Sequence, residues 1–357
     1  MIYLDYQATT PLAPEASDAM IRYLDGPEGT GFGNPHSSHR LGRQAAAAIE
    51  TAREKVASLF PDGGRVIFTG GATEALNLGI RGTSGAGSVA FSAIEHSAVG
   101  DTARSAGAHE VLPVNEEGIC DPSQNLPAEA RMIAVMQANN EIGVTQPLDQ
   151  WAARAQGNGA LLLVDGVQAY GKMPLAEADM IAVSAHKFHG PKGVGALWVR
   201  DGVEITEVQT GGGQEYGLRS GTLSPALIAG FGAAAALAQS RMEEDAAHVE
   251  ALWDRARDLF DGWTLNGSAQ HRWRGNMNIR KDGLDVARLM SDCRNVLFSA
   301  GSACASGSGR PSHVLKAIGL ADKQAKSSIR LGWGRYTSME QLETAAIAID
   351  AAAQEQA

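Results

Sequence analysis

The sequence has few cysteines, no excess of basic charge and no long hydrophobic run, and each shortage excludes a class of protein. Three cysteines in 357 residues are too few for a disulfide scaffold and are typical of a reducing compartment. The formal net charge of −10 argues against a nucleic-acid-binding surface. No stretch approaches the roughly 18 apolar residues of a transmembrane helix, and the N-terminus lacks the basic and apolar regions of a signal peptide. We therefore expect a cytoplasmic protein that binds neither nucleic acid nor a membrane.

The sequence does contain an alternation of short β-branched runs and longer helical patterns, which is typical of an α/β fold with a mostly parallel central sheet. The runs 131–136 and 160–165 are apolar on both faces, as buried parallel strands are. After about Arg241 the pattern changes to a long charged helix, short strands and a Gly/Ser-rich segment, which indicates a smaller α+β unit. We predict a large domain at 12–245 and a smaller domain formed by 1–11 and 246–357.

Two weaker patterns do not indicate a site. The glycines of Gly29–Gly33 follow no strand and have the wrong spacing for a dinucleotide-binding loop. The pairs His36/His39 and His186/His189 are each spaced by three but lie in no helical pattern and have no third ligand nearby. We expect ordinary loop histidines and no metal site.

Three polar motifs follow predicted strands, where open α/β sheets bind ligands. Two glycines after the strand 65–69 lead into a helix that begins near Thr73, and its free N–H groups suit a phosphate, although an ordinary capped turn has the same pattern. Asp165 ends an apolar strand, where a carboxylate needs a partner unless it caps a helix. Lys187 follows another strand, where burial would lower its pKa and make the amine a nucleophile. Taken alone, such a lysine more often reaches water.

Together, these three motifs supply what pyridoxal 5′-phosphate (PLP) requires. A helix start binds the phosphate, a lysine binds the aldehyde, and a carboxylate keeps the pyridine nitrogen protonated so that the ring can accept electrons. His96, after the strand 88–92, offers an aromatic ring to stack on this cofactor.

Cys304 lies in the Gly/Ser-rich segment 299–309, and we expect it to be accessible and able to move between a substrate pocket and a partner. Taken alone, this setting would favour an incidental surface cysteine. Cys120 and Cys293 have no such setting, so we predict no chemical role for either.

With these motifs the chain resembles the cysteine desulfurases of the NifS/IscS type, in the class-V aminotransferase family of fold type I PLP enzymes. The most specific matches are His186-Lys187, Arg219–Thr222 and Gly301–Cys304. The others follow in order along nearly the whole chain: Tyr3–Tyr6, Ala8–Pro11, Phe32–Pro35, Gly71–Glu74, Glu95-His96, Asn139–Gly143, Val164-Asp165 with Gln168, Gly190–Gly193, Gly211–Glu215 and Ser327–Arg330.

The resemblance implies a role for each matching residue. Lys187 would bind the cofactor aldehyde and move the Cα proton, Asp165 would pair with the pyridinium, and His96 would stack on the ring and assist proton transfer. Arg330 would clamp the substrate carboxylate, and Cys304 would take the sulfur of L-cysteine as a persulfide and leave L-alanine. Gln168 and Asn140 would bond the phenolic oxygen of the cofactor or the substrate, and Asn34 would lie in the same pocket. The phosphate would be held by Ala72, Thr73, Ser184 and His186. Thr222 would reach the phosphate of the partner subunit's cofactor.

The resemblance also implies a homodimer that passes its sulfur to an acceptor or to an iron–sulfur scaffold protein, for iron–sulfur cluster biogenesis. It implies no resident metal, although a transient iron–sulfur contact at Cys304 would be compatible with it. Three alternatives use the same fold: a selenocysteine lyase, a cysteine lyase that releases sulfide without a persulfide, and a non-catalytic partner protein. The joint presence of Lys187, Asp165 and Cys304 argues against the last.

Overall fold

The computed structural model describes residues 1–83, 85–301 and 311–356, so Cys304 lies outside the described residues. The strands are β1 (Ile2–Tyr3), β2 (Gly64–Thr69), β3 (Ser88–Ser92), β4 (His109–Leu112), β5 (Ala130–Ala134), β6 (Leu161–Asp165), β7 (Met180–Ser184), β8 (Gly195–Arg200), β9 (Thr264–Leu265), β10 (Asn276–Arg280), β11 (Val296–Leu297), β12 (Ser299–Ala300) and β13 (Ser328–Gly332). The helices are α1 (Pro14–Ile21), α2 (Arg40–Ala57), α3 (Ala72–Gly82), α4 (Ser97–Ala106), α5 (Leu148–Asn158), α6 (Gln214–Gly217), α7 (Pro225–Leu259), α8 (Val286–Asp292), α9 (His313–Ala317), α10 (Asp322–Lys326) and α11 (Met339–Gln354).

A seven-stranded sheet in the order β2-β8-β7-β6-β5-β3-β4 forms the centre of the larger unit. Its strands are parallel except β8, which runs antiparallel to β2 and β7. Neighbouring residues of β2 lie on opposite faces of the sheet. Phe68 packs beneath α2, α5 and α7, whereas Ile67 packs beneath α3 and α4. Both faces of the sheet are therefore buried, which explains the doubly apolar strands and confirms the predicted fold class.

Helix α7 is longer than the sequence pattern indicates. The pattern predicts a helix from about Arg241, but the helix begins at Pro225, where the side chain of Ser224 caps the N–H of Leu227. The early turns are rich in alanine and glycine because they pack closely on α2; a Cβ added at Gly232 would lie 2.8 Å from the Cα of Ala52. The predicted boundary at residue 245 lies inside this continuous helix.

The second unit is built on an antiparallel four-stranded sheet, β12-β13-β10-β9, with β1 and β11 pairing beside it. The second half of α7 joins α8 and α11 around a core that contains Trp253, Trp333 and Leu342. Leu4 is fully buried in this core, and Asp5 bridges to Gly332 at the end of β13. The N-terminal segment thus begins in the second unit and continues toward the large sheet.

Within the described ranges, no helix has the length and apolar character needed to cross a membrane.

Candidate active site

A cavity of about 830 Å³ opens at the carboxyl ends of β2, β6 and β7, which is where sheets of this kind bind ligands. Arg330 of β13 reaches the same cavity from the smaller sheet. The cavity brings together most of the residues that the sequence singles out: Ala72, Thr73, His96, Asn140, Asp165, Gln168, Ser184, His186, Lys187 and Arg330.

One end of the cavity is the turn between β2 and α3. Gly71 is the N-cap of α3 and has no side chain to satisfy the first N–H groups of the helix. These groups and the helix dipole favour an anion. Ser184, His186 and Lys192 line the same cavity, so it also offers hydroxyl, imidazole and ammonium groups. The donor set fits the phosphate of PLP.

Asp165 lies at the end of β6 and is 5% exposed. Burial raises the pKa of its carboxyl, while His96, the N–H of Val167 and Lys187 act in the opposite direction. The Val167 N–H donates to Oδ1 over 3.0 Å. A buried carboxylate that faces a cavity is stabilised by a cationic partner, and a protonated pyridine nitrogen is such a partner.

Lys187 is held by the N-terminal segment of the chain. It lies in a 3₁₀ turn that follows β7, and its Nζ donates to the backbone carbonyls of Gln7 over 2.6 Å and Ala8 over 2.9 Å. The sequence motif Ala8–Pro11 gave no sign of this role, because backbone carbonyls have no side-chain signature.

His186 is also tied to the N-terminal segment. Its Nδ1 lies 3.1 Å from the hydroxyl of Thr9, and its carbonyl accepts from the hydroxyl of Thr10 over 3.0 Å. Burial, followed by the nearby lysines, lowers the pKa of His186 to about 4, so the ring is neutral at pH 7.

A half-buried lysine that sequence reasoning missed, Lys172, fixes Gln168. The Nζ of Lys172 donates to Oε1 of Gln168 over 2.9 Å, and Nε2 of Gln168 donates to the Gln7 carbonyl over 3.1 Å. Because the lysine amine donates, the oxygen of the Gln168 amide group must face Lys172 and its nitrogen must face Gln7. Burial, with a smaller effect of Lys187, lowers the pKa of Lys172 to about 7.

His96 caps α4, and its Nδ1 accepts from the N–H of Ala98 over 3.1 Å. In the neutral ring the proton is therefore on Nε2. The preceding Glu95 is 3% exposed and accepts from the N–H of Met136 over 2.7 Å. Burial raises the pKa of Glu95 well above its usual value, with a further contribution from Asp165.

Arg330 is 1% exposed. Its Nη2 forms an ion pair with Oδ1 of Asp5 over 2.7 Å, and its Nη1 donates to the carbonyl of Asn140 over 3.1 Å. Its Nε is buried and finds no hydrogen-bond acceptor among the residues that the structure describes. A fixed guanidinium with donor capacity to spare suits a carboxylate ligand.

Two predicted site residues are not brought to this cavity. Asn34 and Thr222 are exposed and do not line it. Asn34 instead accepts from the N–H of His36 over 2.9 Å through its own Oδ1.

The two cysteines that the structure describes are both buried. Burial raises the pKa of Cys120 to about 12 and also raises that of Cys293. A buried thiol with a raised pKa is a poor nucleophile at neutral pH. The third thiol, Cys304, lies outside the described residues.

Comparison with known proteins gives consistent results. Residues 2–344 match the family model described as aminotransferase class-V. The chain is 38% identical to the cysteine desulfurase IscS of Rickettsia bellii (strain OSU 85-389) over 368 residues, which is 96% of this chain and 89% of the relative. It is 39% identical, with the same coverage, to the cysteine desulfurase IscS of Rickettsia rickettsii (strain Iowa).

Solved structures agree with these relatives. The NifS-like protein from Rickettsia africae ESF-5 superposes with a TM-score of 0.89 at 28% identity and covers 99% of each chain. SspA, solved in complex with cysteine, superposes with a TM-score of 0.79 at 30% identity and covers 95% of this chain and 100% of its own. The resemblance to NifS/IscS-type proteins is confirmed, and this chain belongs to the class-V aminotransferase family of PLP-dependent enzymes.

Proposed function

We propose that this chain is a PLP-dependent cysteine desulfurase, which converts L-cysteine to L-alanine and transfers the sulfur to Cys304. The observation that carries the proposal is a single cavity that contains the Lys187 amine, the Asp165 carboxylate, an uncapped helix start and the Arg330 guanidinium. The first three match the aldehyde, pyridine nitrogen and phosphate of PLP. The fourth matches the carboxylate of an amino acid substrate.

The cofactor would be held covalently by Lys187, at its ring nitrogen by Asp165, and at its phosphate by the turn that includes Ala72 and Thr73, with Ser184 and His186 beside it. PLP supplies an electron sink for the bond electrons released at the substrate Cα. His96 would stack on the ring, and Gln168 and Asn140 would bond the phenolic oxygen or the substrate.

Three side chains would orient the substrate and move its protons. Arg330 would orient the substrate carboxylate and thereby the Cα–H bond. The Lys187 amine, once released from the cofactor aldehyde, would move the Cα proton. In this structure the same amine donates to the carbonyls of Gln7 and Ala8. His96, with its proton on Nε2, would act as the second proton carrier.

The sulfur step requires a thiolate near the substrate. Cys304 would attack the substrate sulfur, so that a sulfur–sulfur bond forms and the carbon–sulfur bond breaks. The bond electrons return to the carbon skeleton, which takes up a proton and becomes alanine. The overall reaction converts L-cysteine and a thiol to L-alanine and a persulfide, and no external oxidant is needed.

The described residues on either side of Cys304 support this assignment. Ser299 pairs with Arg330 across β12 and β13, and three residues of chain beyond Gly301 reach roughly 10 Å at most. On the other side, Nε2 of His313 donates to the carbonyl of Glu95 over 2.9 Å, and Ser312 bonds the carboxylate of Glu141. Both ends of the segment are therefore anchored beside the cavity.

A homodimer and a sulfur acceptor complete the proposal. Thr222 is exposed and lies outside this chain's own cavity, as a residue that serves a partner subunit's site would. Light scattering should give a mass near twice 37.4 kDa, and a fully active monomer would contradict the dimer. The persulfide would pass to an acceptor or scaffold protein in iron–sulfur cluster biogenesis in the cytoplasm, with transient iron–sulfur contact at Cys304.

The test combines product analysis with two variants of Lys187. Wild-type protein should be yellow, and with a reducing thiol it should release alanine and sulfide from L-cysteine in equal amounts. Lys187→Ala should lose the visible absorbance and alanine formation while it keeps its fold. Lys187→Arg should fail equally, because a guanidinium retains the charge but cannot bond an aldehyde.

Three results would contradict the proposal. A Lys187→Ala variant with normal turnover would remove the lysine from the chemistry. Turnover of L-selenocysteine with no turnover of L-cysteine would make the protein a selenocysteine lyase. A colourless wild-type protein that binds no PLP would make it a non-catalytic relative.

A further inference from the structure

Asp5 forms an ion pair with Arg330 behind the cavity wall, and its position is fixed by the fold. It bridges to Gly332, the end of the strand that carries Arg330, and its carbonyl accepts from the hydroxyl of Tyr3 over 3.0 Å. Its side chain is 18% exposed, whereas that of Arg330 is 1% exposed. Asp5 does not line the cavity, but Arg330 does.

The ion pair neutralises the guanidinium before any ligand arrives. Among the described residues, Asp5 is the one carboxylate within ion-pair distance of Arg330. The buried Nε of Arg330 has no acceptor in the described part of the chain, so the donors of the guanidinium are not all used. Arg330 lines the cavity, so a ligand carboxylate there would bind to a cation whose charge is already balanced. Its attraction to Arg330 would be opposed by repulsion from Asp5.

This weaker binding of a carboxylate by Arg330 has a function in the proposed reaction. L-Cysteine and L-alanine carry the same ammonium and carboxylate groups, so a clamp that binds one tightly also binds the other. Binding that is equal for substrate and product does not speed chemistry, and it slows release of the product. A fixed counter-charge lowers that shared affinity without removing the orientation that Arg330 provides.

We propose that Asp5 is a positioning residue for Arg330 that sets how tightly the site holds an amino acid carboxylate, and that it thereby permits release of alanine. The inference rests on the proposed function. It concerns a residue that does not touch the substrate and acts only through the guanidinium.

The test compares ligand binding to the holoenzyme of wild type and Asp5→Asn. The amide keeps an oxygen for Arg330 but removes the charge. L-Alanine should bind about tenfold more tightly to Asp5→Asn, and ethylamine, which lacks the carboxylate, should bind with unchanged affinity. KM for L-cysteine should fall, and kcat should fall with it as alanine leaves more slowly. Asp62→Asn, a change at an exposed residue between α2 and β2, should alter none of these values.

A purely structural role for Asp5 predicts the opposite result. Loss of a structural contact would disorder Arg330, so L-alanine would bind more weakly and KM would rise. Unchanged or weaker alanine binding in a folded Asp5→Asn holoenzyme overturns the inference. If the amide variant does not retain PLP, Asp5→Ser, which lacks both the charge and the amide N–H groups, should show the same tightening, and its absence there overturns the inference too. Failure of the proposed function is distinguishable, because wild type would then form no alanine from cysteine.

Discussion

Burial controls the protonation of several bases around the cofactor site. Lys172 and His186 both have a lowered pKa, about 7 for the amine and about 4 for the imidazole, because each is partly buried and lies near Lys187. Lys172 can thus be uncharged near neutral pH and still donate to Gln168. This pair determines which end of the Gln168 amide group faces the N-terminal segment.

The depressed pKa of Lys172 predicts a dependence of stability on pH in the cofactor-free protein. The unfolded chain binds this proton below about 10.5 and the folded chain only below about 7. Between these values the unfolded state binds more protons than the folded state. The free energy of unfolding therefore increases as pH rises from about 7 toward 10.5, and decreases as pH falls back toward 7. This one group contributes a slope of up to about 1.4 kcal/mol per pH unit.

Urea unfolding at several pH values between 7.5 and 9.5 measures this slope. Lys172→Met should give a smaller slope than wild type, and Lys323→Met, a change at an exposed lysine of α10, should leave it unchanged. Equal slopes for wild type and Lys172→Met would mean that Lys172 is protonated in the folded protein.

Sequence reasoning singled out those residues of the cavity that carry a local signal. Asp165, Lys187 and His96 each follow an apolar strand, and the structure brings all three to one cavity. Lys172 and Asp5 carry no such signal, because their roles depend on partners that the fold supplies. Asp5 and Arg330, for example, are separated by 325 positions in the chain.

At the scale of the elements, strands buried on both faces could be predicted and others could not. Strand β3 coincides with the expected range 88–92, and β6 lies within the expected run 160–165. Strand β4 was missed because it is the edge of the sheet, and its residues His109–Val111 are exposed and form no apolar run. The first half of α7 was missed because its pattern of small residues reflects close packing, not amphipathic periodicity.

The start of β8 packs against the turn between β2 and α3, and Gly195 allows this close approach. A Cβ at this position would lie 2.5 Å from the carbonyl oxygen of Val183 and 2.7 Å from the backbone carbon of Gly71. Gly195→Ala should therefore push Gly71 and the start of α3 out of place. We expect weaker binding of PLP and a loss of about 1–3 kcal/mol in the free energy of unfolding.

Gly157→Ala is the matched control, because a Cβ there meets nothing within 4 Å. Gly157 lies in α5, where alanine should leave stability unchanged or raise it by up to about 1 kcal/mol. Titration of both cofactor-free variants with PLP and urea unfolding provide the comparison. If Gly195→Ala matches Gly157→Ala in both measurements, the close approach has no functional role.

For the whole molecule, the site depends on contacts between the two units of the fold. The N-terminal segment is anchored in the core of the smaller unit through Leu4, pairs with Arg330 through Asp5, and reaches Lys187 through the carbonyls of Gln7 and Ala8. The sequence predicted that residues 1–11 belong with the C-terminal part of the chain. Their contacts with the large sheet could not be predicted, because they are tertiary contacts with no periodic pattern.

The central claim is that sulfur moves from L-cysteine to Cys304 and to neither of the other two thiols. The buried settings and raised pKa values of Cys120 and Cys293 already make them poor acceptors. Cys304→Ser should still bind PLP through Lys187 and still bind L-cysteine, because those steps need the lysine and the guanidinium. Sulfur transfer should collapse, because a serine hydroxyl is less acidic and less nucleophilic toward sulfur than a thiolate. Cys120→Ser and Cys293→Ser should remain active.

Mass spectrometry of each variant after brief exposure to L-cysteine tests this claim most directly. Wild type, Cys120→Ser and Cys293→Ser should each gain one sulfur, located on the peptide that contains Cys304, and Cys304→Ser should gain none. A persulfide on Cys120 or Cys293, or full alanine production by Cys304→Ser, would contradict the account.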